Sequence, residues 1–479
     1  MPIWGLPMFS GYRDGECGGA SRRLDDQESK MRDVTTGGIL PGEARVKSLF
    51  IAVGFALYGL LWEVTWILLM LAGVLSPALR ARIGNRITLP GRGNAAAGQA
   101  ARSLPQRSTL FFCSSAGEYE QARPLMDQMD RLVEGHRSIV CFFSTSGYEF
   151  ARIRNEGRIY FLSPPDSPWR WSKIFRRYGI CRVVVIRHEL WPGLFRAALR
   201  VGSIFVINVT VPAGRWSKTL PGIKGMFLRH AKRVMLVDRE AEIFYKDAVR
   251  LSPKSYRVVG DTKYDQVLAL LEKSRQGQDN LSGMLKTFGL PTNLFIVGSA
   301  WPADVKILAS TLVAKSLPAG WGVVIVPHDI SSSMIEQLRS VLSMEGIESS
   351  VMSRGKPTLG ASSKPVPFLV VDKMGLLTSL YGCGKAAMVG GGFHHKVHNV
   401  LEPACYGLPI SCGPLYRNSA EACRMVDMGL CQVVTNSSEL DSFLRRCFDG
   451  ATPTSEAVAS FVRQLGGASE RIAAEVLST

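Results

Sequence analysis

Two patterns of apolar positions divide the chain. From Leu49 to Val74 the residues are almost continuously hydrophobic, broken by one carboxylate, Glu63. Beyond roughly residue 105 the pattern changes to short β-branched and aromatic runs separated by helical stretches. The runs predict strands at Thr109–Cys113, Ser138–Phe143, Arg158–Leu162, Arg182–Ile186, Ser203–Asn208, Arg233–Val237 and Tyr256–Val259. After a polar interruption, Ser274–Ser282, they resume at Leu294–Gly298, Gly322–Val326, Phe368–Val371, Ala386–Val389, Pro409–Cys412 and Cys431–Val434. Continuous rather than alternating apolar runs mark strands buried on both faces, as in a parallel sheet covered by crossover helices. The expected fold class is α/β, with two doubly wound domains over 105–275 and 291–479 joined by a linker at 276–290. Ligands of such sheets bind at the carboxyl ends of the strands, here in a cleft between the domains.

The leading segment reads differently. Residues 1–47 are polar and aperiodic, a flexible tail. The apolar run predicts a membrane-associated helix over 48–75, since about 20 apolar residues span a hydrocarbon core. The helix is expected to anchor the protein as a single pass or along the interface, and Glu63 at its middle keeps open a helix that is interfacial or buried in protein, because a carboxylate at bilayer depth is costly. Arg80, Arg82, Arg86 and Arg92 follow it, against Arg45 and Lys47 before it. This asymmetry puts the body of the protein on the cytoplasmic side. The basic linker 76–104 is then placed to meet anionic headgroups.

The 479 residues are 46% hydrophobic and 20% charged with a net charge of +17, a globular composition that favours anionic partners. The aromatics do not interleave with the basic residues as stacking platforms would, which argues against nucleic acid. Ten cysteines lie scattered without paired metal-ligand spacing. Buried thiols fit that spacing better than zinc.

Candidate chemistry falls at predicted strand ends. Ser115-Ala116-Gly117-Glu118 follows the first strand and opens a helix, where Glu118 either acts as a general base or complements the helix dipole. Gly117 permits a tight turn. His188, Glu189 and Trp191 follow the fourth strand, with His188 and Trp191 equally readable as structural groups. In the second half the Pro327-His328-Asp329 turn ends a strand. Gly390-Gly391-Gly392 precedes His394, His395 and His398, and the glycines permit backbone amides to approach a phosphate. The helix opening near Asn399 adds a favourable field for an anion. Glu402 is a candidate partner for ribose hydroxyls.

Together these segments resemble the Kdo transferase family of lipopolysaccharide assembly. The resemblance is carried, in order, by Ser115-Ala116-Gly117-Glu118-Tyr119-Glu120-Gln121, Phe143 through Glu149, Glu189-Leu190-Trp191, Gly260 through Asp265, Gly298-Ser299-Ala300-Trp301-Pro302, Pro327 through Ile330, Asp372 through Leu377, Gly390 through Glu402, and Cys412-Gly413-Pro414 with Glu421-Ala422. It implies the two-domain GT-B architecture and inverting transfer of Kdo from CMP-Kdo to a hydroxyl of a lipid A precursor at the cytoplasmic face of the inner membrane. No cofactor and no metal are implied. Glu118 matches the family's base and Glu189 a second acid. Ser299, Pro327, His328, Met374, Gly375, Gly390, Gly391, Gly392, Asn399 and Glu402 match the donor side. Ser115, Gly117 and Arg123 fall on the acceptor side, and anionic lipids of the inner membrane are expected partners. Two departures stand out: Arg187 occupies a position where many relatives carry an acid, and the turn reads Pro-His-Asp rather than the Pro-Arg-His of one branch. The runner-up readings are a GT-B transferase or nucleotide-sugar epimerase with another donor, and a non-catalytic membrane-tethered protein.

Overall fold

The computed structural model describes residues 41–76, 108–212, 221–275, 278–314, 317–354, 367–452 and 455–478. The expected tail up to residue 40 and the basic linker 77–104 lie outside them. Two seven-stranded sheets form, both wholly parallel where their registers are defined, ordered β3-β2-β1-β4-β5-β6-β7 and β10-β11-β9-β8-β12-β13-β14. The first contains β1 (Ser108–Cys113), β2 (Arg137–Phe142), β3 (Ile159–Leu162), β4 (Ile180–Ile186), β5 (Ser203–Val209), β6 (Arg233–Leu236) and β7 (Tyr256–Val258). The second contains β8 (Asn293–Ala300), β9 (Trp321–Pro327), β10 (Ser350–Val351), β11 (Phe368–Val370), β12 (Ala386–Val389), β13 (Ile410–Cys412) and β14 (Cys431–Val433). All thirteen expected strands form. The unexpected one, β10, has two residues and leaves no periodic signal.

Burial explains the pattern. Every residue of β1 and of β12 is buried. Helices cover both faces of the first sheet, so Leu110 and Phe112 enter one apolar core and Phe111 and Cys113 another.

The connection between the domains is helical. Helix α2 (Thr262–Arg275) follows β7, and α3 (Gln278–Thr287) occupies most of the stretch expected as a linker. Tyr264, Val267 and Leu271 of α2 belong to a core of the second sheet, with Ile410 and Val458. Leu281 and Leu285 of α3 join another, with Ile296 and Val324. The last helix, α4 (Ala468–Leu477), returns to the first domain, where Ile472, Ala473 and Val476 pack with Phe111 and Tyr119. Asp265 ties the crossing by accepting from the amides of Gly467 (2.5 Å) and Ser469 (2.6 Å).

The apolar segment lies in helix α1 (Pro41–Leu75), which is docked on the first domain. Glu63 takes a bidentate bond from Arg170, with Nε and Nη2 within 2.7 and 2.6 Å. Tyr58 donates to Asp166 at 3.0 Å, and the Trp62 ring meets Trp191 edge-on at 6.4 Å. Leu57, Leu60, Leu61, Val64, Ile67, Leu68, Leu71 and Val74 remain exposed. Among the described residues no helix is long and apolar enough to cross a membrane, so the structure does not show the spanning form of the expected anchor.

Candidate functional site

The chain leaves β1 through Ser114 and Ser115 and enters helix α5 (Ala116–Leu132). Ser115 is its N-cap, the hydroxyl accepting from the Glu118 amide at 3.3 Å. Tyr119, Ala122, Leu125, Met126 and Met129 bury one helical face, which fixes the rotation of the first turn. Glu118 then folds back so that its Oε2 accepts from the Ser114 amide (2.5 Å) and hydroxyl (2.8 Å). Burial pushes its pKa above the usual carboxylate value. The Ser114 bonds oppose that, Glu189 reinforces it and Arg187 lowers it. At Gly117 an added Cβ would meet nothing nearer than Ser115 Oγ at 3.9 Å, so the glycine leaves open space rather than relieving a clash.

Glu189 is fixed by its neighbour: Trp191 Nε1 donates to its carboxylate at 3.0 Å. Trp191 stacks on Phe143 at 4.9 Å and meets Phe112 at 6.4 Å. His188 reaches Thr210 at 3.2 Å. Arg123 turns to two carboxylates, Glu120 (3.3 Å) and Glu156 (2.6 Å). It shares a cavity of about 290 Å³ with Gly375 and Thr378 of the second domain.

On the second domain the triple glycine is a meeting point of three strand-end loops. A Cβ on Gly390 would lie 2.5 Å from Ser299 O, and one on Gly392 would lie 2.6 Å from Gly413 N. The amides that the sequence reading left for a phosphate are partly occupied. Gly390 donates to Gly298 O at 2.8 Å, Gly391 to Asp304 at 2.8 Å, and Phe393 to Asp304 at 3.4 Å. Asp304 also takes the Trp301 amide at 2.9 Å, so one buried carboxylate holds two loops together. No local sequence signal distinguishes it from an ordinary first-turn Asp.

Above this knot the rings stack. Trp301 lies 4.3 Å from His394 and 4.8 Å from His328, and His328 lies 4.4 Å from His398. Trp301 Nε1 donates to His398 Nε2 at 3.2 Å. Burial and the nearby charges of His328 and Lys396 push the His398 pKa down from 6.5 to about 4. Ser299 has a φ of 54° at the end of β8. Pro327 ends β9, and the His328 amide bonds Ala300 O at 3.0 Å. Asn399 and Thr378 both donate to Glu402, at 3.1 and 2.7 Å. Burial raises the Glu402 pKa while those bonds lower it, and the Glu120 charge from the first domain reaches it. Met374 is 79% exposed beside Gly375, whose φ is 80°.

The two walls enclose a cavity of about 1030 Å³. Gln121, Arg187, His188 and Thr210 line it from the first domain; Lys396, His398, Asn399 and Arg417 line it from the second. Glu118 is not in that lining, but it interacts with Arg187, which is. Lys263 bridges Asp261 and Glu421, and Arg424 pairs with Asp238 across the domains. Ser114, Asp304, Arg187, Lys396 and Arg417 were not singled out as site residues by sequence. Among the described residues no group of three or more His, Cys, Asp or Glu is placed to hold a metal.

The fold has counterparts. A glycosyltransferase from Rickettsia africae superimposes with a TM-score of 0.50 at 13% identity, covering 78% of this chain and 98% of that one. A UDP-GlcNAc 2-epimerase from Neisseria meningitidis gives 0.54 at 12% identity, covering 78% and 100%. These likenesses bear on architecture alone. Two parallel sheets of this kind are the fold that this chain shares with both. Residues 82–266 match the family described as 3-deoxy-D-manno-octulosonic-acid transferase (kdotransferase). The 3-deoxy-D-manno-octulosonic acid transferase of Chlamydophila psittaci is 25% identical over 345 residues, 70% of this chain and 76% of its own. By these matches the protein is a glycosyltransferase, and it is similar in sequence to the Kdo transferase family.

Proposed function

We propose that the protein transfers Kdo from CMP-Kdo to a hydroxyl of a lipid A precursor, with inversion, releasing CMP. The observation that carries the reading is the placement of Glu118 at the start of α5, held by Ser114 and coupled to the cavity wall through Arg187. Glu118 takes the proton of the acceptor hydroxyl. The acceptor hydroxyl oxygen attacks the anomeric carbon, and the bond from that carbon to the CMP phosphate oxygen breaks. A single carboxylate suffices for this inverting displacement, because the acceptor is itself the nucleophile. Asn399, Glu402, Ser299 and His328 form the donor side, with Lys396 and Arg417 as cations toward the departing phosphate. The acceptor enters from the first domain, past Ser115 and Gly117.

Helix α1 supports a membrane role of the interfacial kind. Its inner face is fastened through Tyr58, Trp62 and Glu63, which gives the mid-helix carboxylate a partner in protein rather than in lipid. Its outer face of Leu57, Leu61, Val64, Leu68 and Leu71 would lie in the inner-membrane interface, among anionic lipids, with the catalytic domains in the cytoplasm. The test is an assay of purified protein with CMP-Kdo and tetraacylated lipid A precursor, read by product mass. Addition of one or more Kdo masses is the expected result. Turnover of a UDP-sugar with no use of CMP-Kdo overturns the reading.

A further inference from the structure

Several charged side chains around the cavity are paired within the protein. Lys263 lies 2.8 Å from Glu421 and 3.4 Å from Asp261, and Arg424 is paired with Asp238. Arg187 differs. It lines the cavity from the first domain, and its Nε donates to the neutral side chain of Gln121 at 3.3 Å. Among the described residues it forms no ion pair. Its backbone is held at a φ of 62°, a region that disfavours any side chain, while its amide still bonds Ile207 O at 2.8 Å. A glycine or asparagine would fill that turn with less strain, so the turn alone gives no reason for an arginine.

The chemistry of the proposed reaction supplies one. The transferred sugar is an ulosonic acid, with a carboxylate bonded directly to the anomeric carbon. Glu118 must come within hydrogen-bond reach of the hydroxyl that attacks that carbon, and Glu189 interacts with Glu118. Two or three carboxylates therefore converge on one reacting bond. Their repulsion opposes donor binding unless a cation lies among them. Lys396 and Arg417 belong to the opposite wall, beside the loops assigned to the nucleotide. A guanidinium matches a carboxylate with two parallel hydrogen bonds, which a lysine cannot provide.

We propose that Arg187 is a substrate-binding residue that pairs with the carboxylate of the transferred ulosonic acid and orients the anomeric carbon toward the hydroxyl activated by Glu118. The inference deepens the proposed Kdo transfer and rests on it. Arg187 is a cation of the first-domain wall that feels Glu118 but forms no ion pair among the described residues, so this role gives the acceptor domain a grip on the donor's sugar.

The test compares wild type, Arg187→Gln and Arg187→Lys, all full length, on CMP-Kdo and on its C1 carboxamide analogue. R187Q is expected to lower kcat/KM for CMP-Kdo by roughly 10- to 100-fold, the range of a charge-assisted hydrogen bond. R187K is expected to recover part of that loss. With the carboxamide donor, wild type and R187Q should differ by less than about threefold, because the charge that Arg187 reads is already gone. An equal loss on both donors, or a loss confined to the KM of the acceptor, overturns the inference. If the wild type is inert toward CMP-Kdo, the proposed donor fails and takes the inference with it. If the wild type is active and R187Q is indifferent, the inference alone fails.

Discussion

Ser114 holds Glu118 twice on the same oxygen, through its amide at 2.5 Å and its hydroxyl at 2.8 Å. The clamp both aims the carboxylate and stabilises its charged form against the burial that raises its pKa. Glu118→Gln is expected to lower kcat by about 10² to 10⁴, the usual contribution of a general base, without changing the unfolding midpoint. Ser114→Ala keeps the amide bond and loses the hydroxyl bond, so the Glu118 pKa rises further. The base must be ionised to act, so the acid limb of the kcat profile should move to higher pH. A profile of S114A superimposable on wild type would remove the clamp from the mechanism.

The triple-glycine bend predicts a graded series. At Gly391 φ is 88° and an added Cβ would lie 2.2 Å from Lys396 O, so Gly391→Ala meets both strain and a backbone clash. At Gly375 φ is 80° but nothing lies within 4 Å. Urea denaturation should show a loss of about 1 kcal/mol for Gly375→Ala and several times that for Gly391→Ala. Equal effects would mean that conformational strain alone governs both.

His398 makes stability pH-dependent. Its folded pKa of about 4 lies below the ordinary 6.5, so between these values the unfolded chain binds the proton and the folded chain resists it. Stability contributed by the neutral ring is complete above 6.5 and declines as the pH falls toward 4. His398→Gln should flatten the dependence of the unfolding midpoint in this window. An unchanged slope would assign the acid sensitivity to other groups.

Asp166 links the apolar helix to the turn that carries the second acid. It accepts from Tyr58 Oη (3.0 Å), Trp171 Nε1 (2.8 Å) and the amides of Gly193 (2.7 Å) and Leu194 (2.9 Å), the last two at the start of the helix that follows Glu189. Asp166→Asn presents hydrogens where acceptors are needed. A loss of about 1 to 3 kcal/mol is expected, with faster hydrogen exchange in helix α1. Tyr58→Phe should loosen only the helix, with the Gly193 amide protected as before.

The sheets were legible because parallel strands are buried on both faces, and that burial writes itself as runs such as Leu110–Cys113 and Val183–Ile186 in a single stretch of chain. The turns at the ends of β1 and β12 were legible for the same local reason, as small residues between a strand and a helix. Three things were not. Glu63 meets Arg170 only through docking of a helix 107 residues away in sequence, so its meaning reversed from a cost in lipid to a bond in protein. The glycines at 390 and 392 read as cradles for an anion, whereas their closest neighbours are Ser299 and Gly413 on other strands, and Asp304 takes the Gly391 and Phe393 amides. Arg187 read as a departure from a motif until the fold set it on the cleft wall, where its charge reaches Glu118. Strand, helix and turn depend on near neighbours, which the order of residues records; partners of charge and close backbone approach depend on which surfaces meet, and only the packed chain brings those surfaces together.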